Sequence, residues 1–451
     1  MKRDLWRLEK RERSEIQSTT THFNIHYNQR SKYKHILTKL EDEIGFGYRK
    51  EILALITNTA RAIKYRAIGL SVPRDFAPYK GNPQKISHKR MVALLDILEA
   101  SGYVDLLIGG IADWKEGVMV GSLCMFKESW LSLFFGVDVS DEVDPLPLVE
   151  IKDRSSGALK STRGHTGVKK IGAYMEAFNT ILQNTTITKG SLVYSAQQYK
   201  RVFSDKIGFG GRHYNTVGGV QVMNSDERKK LELDGSPVAE LDFKAMHASL
   251  LYEEEYEFNA DVIDSWIEDE WGGAYNPYGA KMPFLEVDQS KVNYFREKYD
   301  KPTYDPIRNL CKHSLMVCLN EDSYRGAFTQ VTGEVVRDKE MWGTDQEKDS
   351  KFFGLYVSDR FPGHTVCQAV VAHNKPIAHH FFSDRGVQLQ YLDSEIIADV
   401  INRLICEKEP LLPEHDSVIV KQEVKERVMQ YMREAYKEVM GNDKFCYIEE
   451  K

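Results

Sequence analysis

Nowhere in the 451 residues is there a run of about 18 uncharged apolar residues, the length a membrane-spanning helix requires, so no membrane span is expected. The opening MKRDLWRLEKRERSEIQ is charged from its second residue and lacks the apolar stretch and small-residue cleavage site of a secretory signal, which makes a cytoplasmic location the expectation. Six cysteines (Cys124, Cys311, Cys318, Cys367, Cys406, Cys446) form no CxxC pair, arguing against a zinc ribbon and a disulfide framework. Positive charge is not in excess: 61 Lys and Arg face 67 Asp and Glu, a formal net charge of -6 that excludes a uniformly basic surface. Internal repeats and long low-complexity tracts are also missing.

What is present is an ordinary globular composition, 42% hydrophobic and 28% charged, enough to build two or three units. Charge is distributed unevenly. Eleven Lys or Arg against three acids lie between residues 151 and 214, whereas nine acids and no base lie between 253 and 270. Residues 1–150 read as a mostly helical region. Within it, ISHKRMVALLDILEASGY predicts a helix capped by Ser87 with Met91, Leu94, Leu95 and Leu98 inward, closed by Gly102. Two apolar runs about Gly109 and Gly110 follow, so helix plus hairpin resembles a winged-helix unit; a plain packing module without DNA contact fits equally. Residues 136–165, with Pro145, Pro147 and RSSGALKSTRGHTG, read as a loop, and the boundary falls near Asp153. Three units follow: 1–150, a basic region 151–235, and 236–451.

The chemistry sits in the last two. SPVAELDFKAMHASLLY predicts a strand from Val238 to Phe243 that ends on Asp242 and runs into a helix near Ala245. A carboxylate at the end of a buried strand is costly unless something binds it, and a divalent cation is a common reason for one; alone, Asp242 also reads as a helix cap. LLPEHDSVIV predicts a hairpin that presents His415, Asp416 and Ser417 between two core helices, an arrangement that solvated turn chemistry also explains. In DPIRNLCKHSLMVCLNED, Arg308 and Lys312 are four apart on one helix face and suited to a triphosphate, although such pairs are common on surfaces. GFGGRHY offers backbone freedom at Gly208, Gly210 and Gly211 with Arg212 projecting beside them.

The order of these pieces resembles the succession of motifs in the superfamily that joins family A DNA polymerases to phage-type single-subunit RNA polymerases. GGRHY, ELDF and EHDS look closest to the large subunit of podoviral middle RNA polymerases, and the resemblance covers about 199–440. It implies an α+β fold, a right-hand palm with helical fingers and thumb. It also implies template-directed nucleotidyl transfer with two magnesium ions on Asp242 and Asp416, Lys312 assisting pyrophosphate departure, Arg308 on the phosphates and His415 among the catalytic residues. His247 and Asn320 complete the expected nucleotide site. Lys169, Lys170, Lys200, Arg201 and Arg212 are the expected contacts to template phosphates. Implied partners are a DNA template, nucleoside triphosphates, nascent RNA, a smaller second polymerase subunit and a single-stranded DNA-binding protein.

Five positions depart from the family or divide it. Gly208 stands where T/D-x-x-G-R begins, and Asn320 and Glu321 replace an aromatic usually followed by glycine. His247 is bulky where a ribose-accepting enzyme has a small residue, which favours deoxynucleotides. Ser417 after His415 and Asp416 resembles the RNA polymerase branch. An imidazole can also hydrogen-bond a 2′-hydroxyl, and the balance of these signals favours a DNA-directed RNA polymerase. The alternatives are a family A-like DNA polymerase and a DNA-binding regulator with an inactive polymerase-like domain; a metal-dependent nuclease fits less well, because dense Asp/Glu/His clusters are missing.

Overall fold

Apolar residues at helical spacing in the first third of the chain gather into a core of their own. Ile36, Leu37 and Leu40 from the helix Lys34–Ile44, Ile52, Leu53, Leu55 and Ile56 from Arg49–Lys64, and Met91, Leu94, Leu95 and Leu98 from His88–Ala100 are all buried together. Ser87 caps the last of these, accepting from Arg90 N at 3.4 Å. In this computed structural model residues 3–4, 16, 19–23, 31–74, 79, 85–113, 118–140, 142, 147–216, 220–357 and 362–451 are described. The helical pattern expected over much of residues 1–30, Pro145 and the glycines of 217–219 lie outside them.

The N-terminal part departs from the mostly helical, winged-helix expectation. Its helices lie with a five-stranded sheet ordered Arg3–Asp4, Val104–Ile108, Ser122–Phe126, Gly69–Val72, Thr20–His22. Of the expected hairpin, Val104–Ile108 pairs with Ser122–Phe126 inside that sheet, while Val118–Val120 pairs with Gly110–Asp113, so the second run expected over Val118 to Leu123 is divided between two sheets. Strands of two to five residues carry too few alternations to stand out in the sequence. The loop expected over 136–165 likewise contains Val149–Lys152, which pairs in parallel with Tyr199–Ser204, and Leu159–Lys160.

The larger core is built on an antiparallel sheet ordered Leu192–Val193, Ile187–Lys189, Glu232–Leu233, Ser236–Phe243, Ser417–Lys421, Leu411–Glu414, with Ile448–Glu450 also paired to Ser236–Phe243. Ser236–Phe243 buries Leu241 and Phe243, each contributing about 1.5–3 kcal/mol by leaving water. The helices Met246–Trp271, Gly386–Glu407 and Lys425–Met440 supply buried residues to the same core; Ile396, Ile397, Val400, Ile401 and Leu404 point inward as their spacing predicts. Helices and an antiparallel sheet thus share one core in an α+β arrangement. Arg66 links the two cores, donating to Thr186 Oγ1 and Gln183 O at 3.1 Å. Among the described residues no helix is long and apolar enough to cross a membrane.

Candidate active site

Asp242 sits near the end of the strand Ser236–Phe243, flanked in register by Ser417 on one side and Glu449 on the other. Asp416 follows His415 in the turn between Leu411–Glu414 and Ser417–Lys421. Phe243 N donates to Asp416 O at 3.5 Å, so strand end and turn are joined through the backbone. His415 adopts a positive φ of 59°, an uncommon conformation for a side-chain residue but one in which histidine is enriched. Both carboxylates line a cavity of about 540 Å³.

Another part of the wall is the start of a helix. In DPIRNLCK, Asp305 caps Pro306–Asn320 by accepting from Ile307 N and Arg308 N, and Pro306 takes a first-turn position where no N–H is needed. That register sets Arg308 and Lys312 on one exposed face, and both line the cavity. The Arg308 guanidinium lies 5.3 Å from the Tyr278 ring. The positive end of the helix dipole therefore adds to two cations facing two carboxylates.

Arg212 completes the basic side, and its position is built from within. Asp393, fully buried, accepts from Arg212 Nε at 3.1 Å and lies 3.0 Å from His247 Nε2. His247 is buried while lining the cavity, and its Nδ1 is enclosed without a hydrogen-bond partner among the described residues.

Electrostatically the site is short of positive charge at the carboxylates. Burial, and then the adjacent Asp416 charge, push the Asp242 carboxyl up to about 6. Lys451, with Nζ 3.2 Å from Asp242 Oδ1 and 3.3 Å from Glu240 Oε1, opposes that rise. Behind the turn, burial pushes Glu414 up to about 7 against the pull of Arg228. Arg228 itself makes a bidentate pair with buried Glu240, Nε to Oε2 at 2.9 Å and Nη2 to Oε1 at 2.7 Å.

Of the residues singled out in the sequence, Asp242, Asp416, Arg308, Lys312, His247 and Arg212 meet at this cavity. His415 is outside its lining, packed edge-on against Tyr214 at 5.9 Å. Asn320 is also outside: eight residues beyond Lys312 puts it roughly 12 Å further along the helix, where its Nδ2 donates to Met316 O. Arg201 corrects the template assignment. It is 1% exposed, donating to Gly211 O, Ser394 Oγ and Glu395 Oε1, and has no face left for a phosphate. Lys200 is paired with Glu150, whereas Lys169 and Lys170 are exposed at the start of Val168–Asn184, away from the cavity lining.

Asp393, Tyr278, Asp305, Glu449 and Lys451 were not singled out. Asp393 left a signal, since it sits four residues from both Leu389 and Ile397 on the inward stripe of a helix, where an acid needs a partner. Asp305 left one as well, as the cap residue before Pro306; the other three left none that local pattern can isolate.

No family model and no curated protein matches the chain. Among solved structures, the POL domain of Pol1 from M. smegmatis, in complex with DNA primer-template and dNTP, is similar over 91% of this chain and 72% of that one, at 11% identity and a TM-score of 0.28. A likeness that distant bears on no residue of the cavity.

Proposed function

We propose that the chain is a template-directed nucleotidyltransferase whose reaction centre is the cavity between Asp242, Asp416 and the Pro306–Asn320 helix. The observation that carries this reading is the meeting of two carboxylates from a strand end and a hairpin turn with Arg308, Lys312 and Arg212 across one cleft. Oxygen-only donors suit magnesium, and the raised Asp242 carboxyl with a lysine ammonium beside it marks a place that favours positive charge. Asp242 and Asp416 would hold the ions, which when bound lower the pKa of a 3′-hydroxyl and neutralise a leaving pyrophosphate. Arg308 and Lys312 bind and orient the triphosphate, aided by the helix N-terminus. Asp393 keeps Arg212 and His247 in fixed orientation.

Two sugar readings remain, each with its observation. Ser417 after His415 and Asp416 favours ribonucleotides and a DNA-directed RNA polymerase. The ring of His247 favours deoxynucleotides: Nε2 is engaged by Asp393 and Nδ1 is enclosed, so the imidazole offers a wall and no free atom for a 2′-hydroxyl. Nascent RNA, a second subunit and a single-stranded DNA-binding helper belong to the first reading.

The test is incorporation of labelled rNTPs and dNTPs on single-stranded DNA and RNA templates. Asp242→Ala and Asp416→Ala are each expected to lower incorporation at least a thousandfold while leaving DNA affinity within a few-fold; robust incorporation by either removes the assignment, and wild-type DNA binding without incorporation would favour the regulator with an inactive polymerase-like domain. In the same assay kcat/KM for His247→Ala separates the sugars: new acceptance of rNTPs identifies a wall, and a fall in rNTP use identifies a hydrogen bond.

A further inference from the structure

A second set of metal-ligating side chains lies outside the cavity. Glu255 is on the helix Met246–Trp271, and His379 and His380 end the 3-10 segment Lys375–His380 packed against it. His379 Nε2 is 2.9 Å and His380 Nε2 3.0 Å from the same oxygen, Glu255 Oε1, and one ligand atom from each of the three residues lies within 4.8 Å of the others. Successive side chains in a 3-10 helix fan apart by about 120°. The rings of His379 and His380 nevertheless converge, with centroids 4.1 Å apart. The other carboxylate oxygen accepts from Asn259 Nδ2 at 3.2 Å, which orients the group from behind.

We propose that Glu255, His379 and His380 form a binding site for a zinc-class divalent ion, separate from the carboxylate cavity. Two imidazoles and one carboxylate are the donors that borderline transition ions select, whereas magnesium and calcium select oxygen alone. Tetrahedral zinc with bonds of 2.0–2.1 Å spaces its ligands about 3.3 Å apart, so the observed 2.9 and 3.0 Å need to open by only a few tenths of an ångström. His379 is more than half exposed and leaves a way in for the ion. Water fills the fourth position.

The ion would fasten the long helix to the turn before Gly386–Glu407. Asn259 departs from helical geometry at φ -135° and ψ 37°, one turn beyond Glu255, so the site sits beside a kink. Arg385 and Glu254 pair at 2.6 Å across the same joint. A metal there clamps the kinked helix to the segment that carries Asp393.

The experiment is zinc titration of the full chain against a chromophoric chelator, with Asp242→Asn/Asp416→Asn as parent so that the cavity carboxylates contribute nothing. One equivalent of zinc per chain is expected, unaffected by millimolar magnesium, with cobalt giving the visible absorption of a four-coordinate nitrogen and oxygen site. His379→Gln, a substitution at an exposed ring, and Glu255→Gln should each weaken zinc at least tenfold with an unchanged circular dichroism spectrum. Zinc should also protect His379 and His380 from diethylpyrocarbonate, read by mass spectrometry. Zinc binding that His379→Gln and Glu255→Gln leave unchanged, or no stoichiometric binding by the parent at tens of micromolar, overturns the proposal.

Discussion

Asp242 and Glu414 hold their protons longer in the folded chain than in the unfolded one, because burial raises them from 3.8 and 4.5 to about 6 and about 7. A raised acid contributes stability that is present at low pH and lost as pH rises through the folded value, here between about pH 4 and 7. The rise at Asp242, already net of the opposing Lys451 pair, is worth at most about 3 kcal/mol, and solvent screening at the cavity reduces that. Asp242→Asn should therefore stabilise the metal-free protein by ~1–2 kcal/mol at pH 7.5 and by nothing at pH 4, in thermal or urea unfolding. Magnesium, acting on the ionised pair, should raise the wild-type melting temperature more at pH 8 than at pH 5. Equal shifts at both values would remove the cavity carboxylates as the ion's site.

Elements meet at this site through close approach, as where the strand Gly210–Asn215 packs between the strand Tyr199–Ser204 and the helix Gly386–Glu407. Gly211 has φ 87°, and a Cβ there would lie 2.7 Å from Phe203 Cε1 and 2.9 Å from Arg201 Nη2 and Ser394 Oγ. Gly208 has φ 101° but nothing within 4 Å of a Cβ. Gly211→Ala should therefore cost ~2–4 kcal/mol, combining backbone strain with overpacking, and Gly208→Ala only ~1 kcal/mol. Because Arg212 follows Gly211, the first change should also lower triphosphate affinity, measured by equilibrium binding, while the second leaves it within twofold. Equal destabilisation by both would mean that the close approach contributes nothing.

Across the whole molecule the basic segment 151–214 is far less free than its composition. Of its eleven cations, Lys152, Arg154, Lys160, Lys189, Lys200, Arg201 and Arg212 are ion-paired. Arg163, Lys169, Lys170 and Lys206 have no ion pair among the described residues and are exposed. A slope of log K against log salt near -4 is expected for DNA binding, about two decades of affinity between 50 and 200 mM, where eleven phosphate contacts would give about -10 and six decades. Fluorescence anisotropy across that range decides it, and a slope steeper than about -7 would mean that the internal pairs open on binding.

How much of this was legible follows from the range of the forces involved. Local pattern suffices for the strand ending at Asp242, the capped helix carrying Arg308 and Lys312 and the hairpin turn at Asp416, because period, cap and turn act over a few residues. It suffices as well for the inward face of Gly386–Glu407. Pairing between distant segments does not show locally. That Arg201 turns inward to Ser394, that Asp393 fixes Arg212 and His247, that Asn320 lies beyond the cavity and that short strands complete the N-terminal sheet were decided only when the chain closed on itself. A buried charge takes its meaning from its partner, and here the partners lie up to 194 residues away.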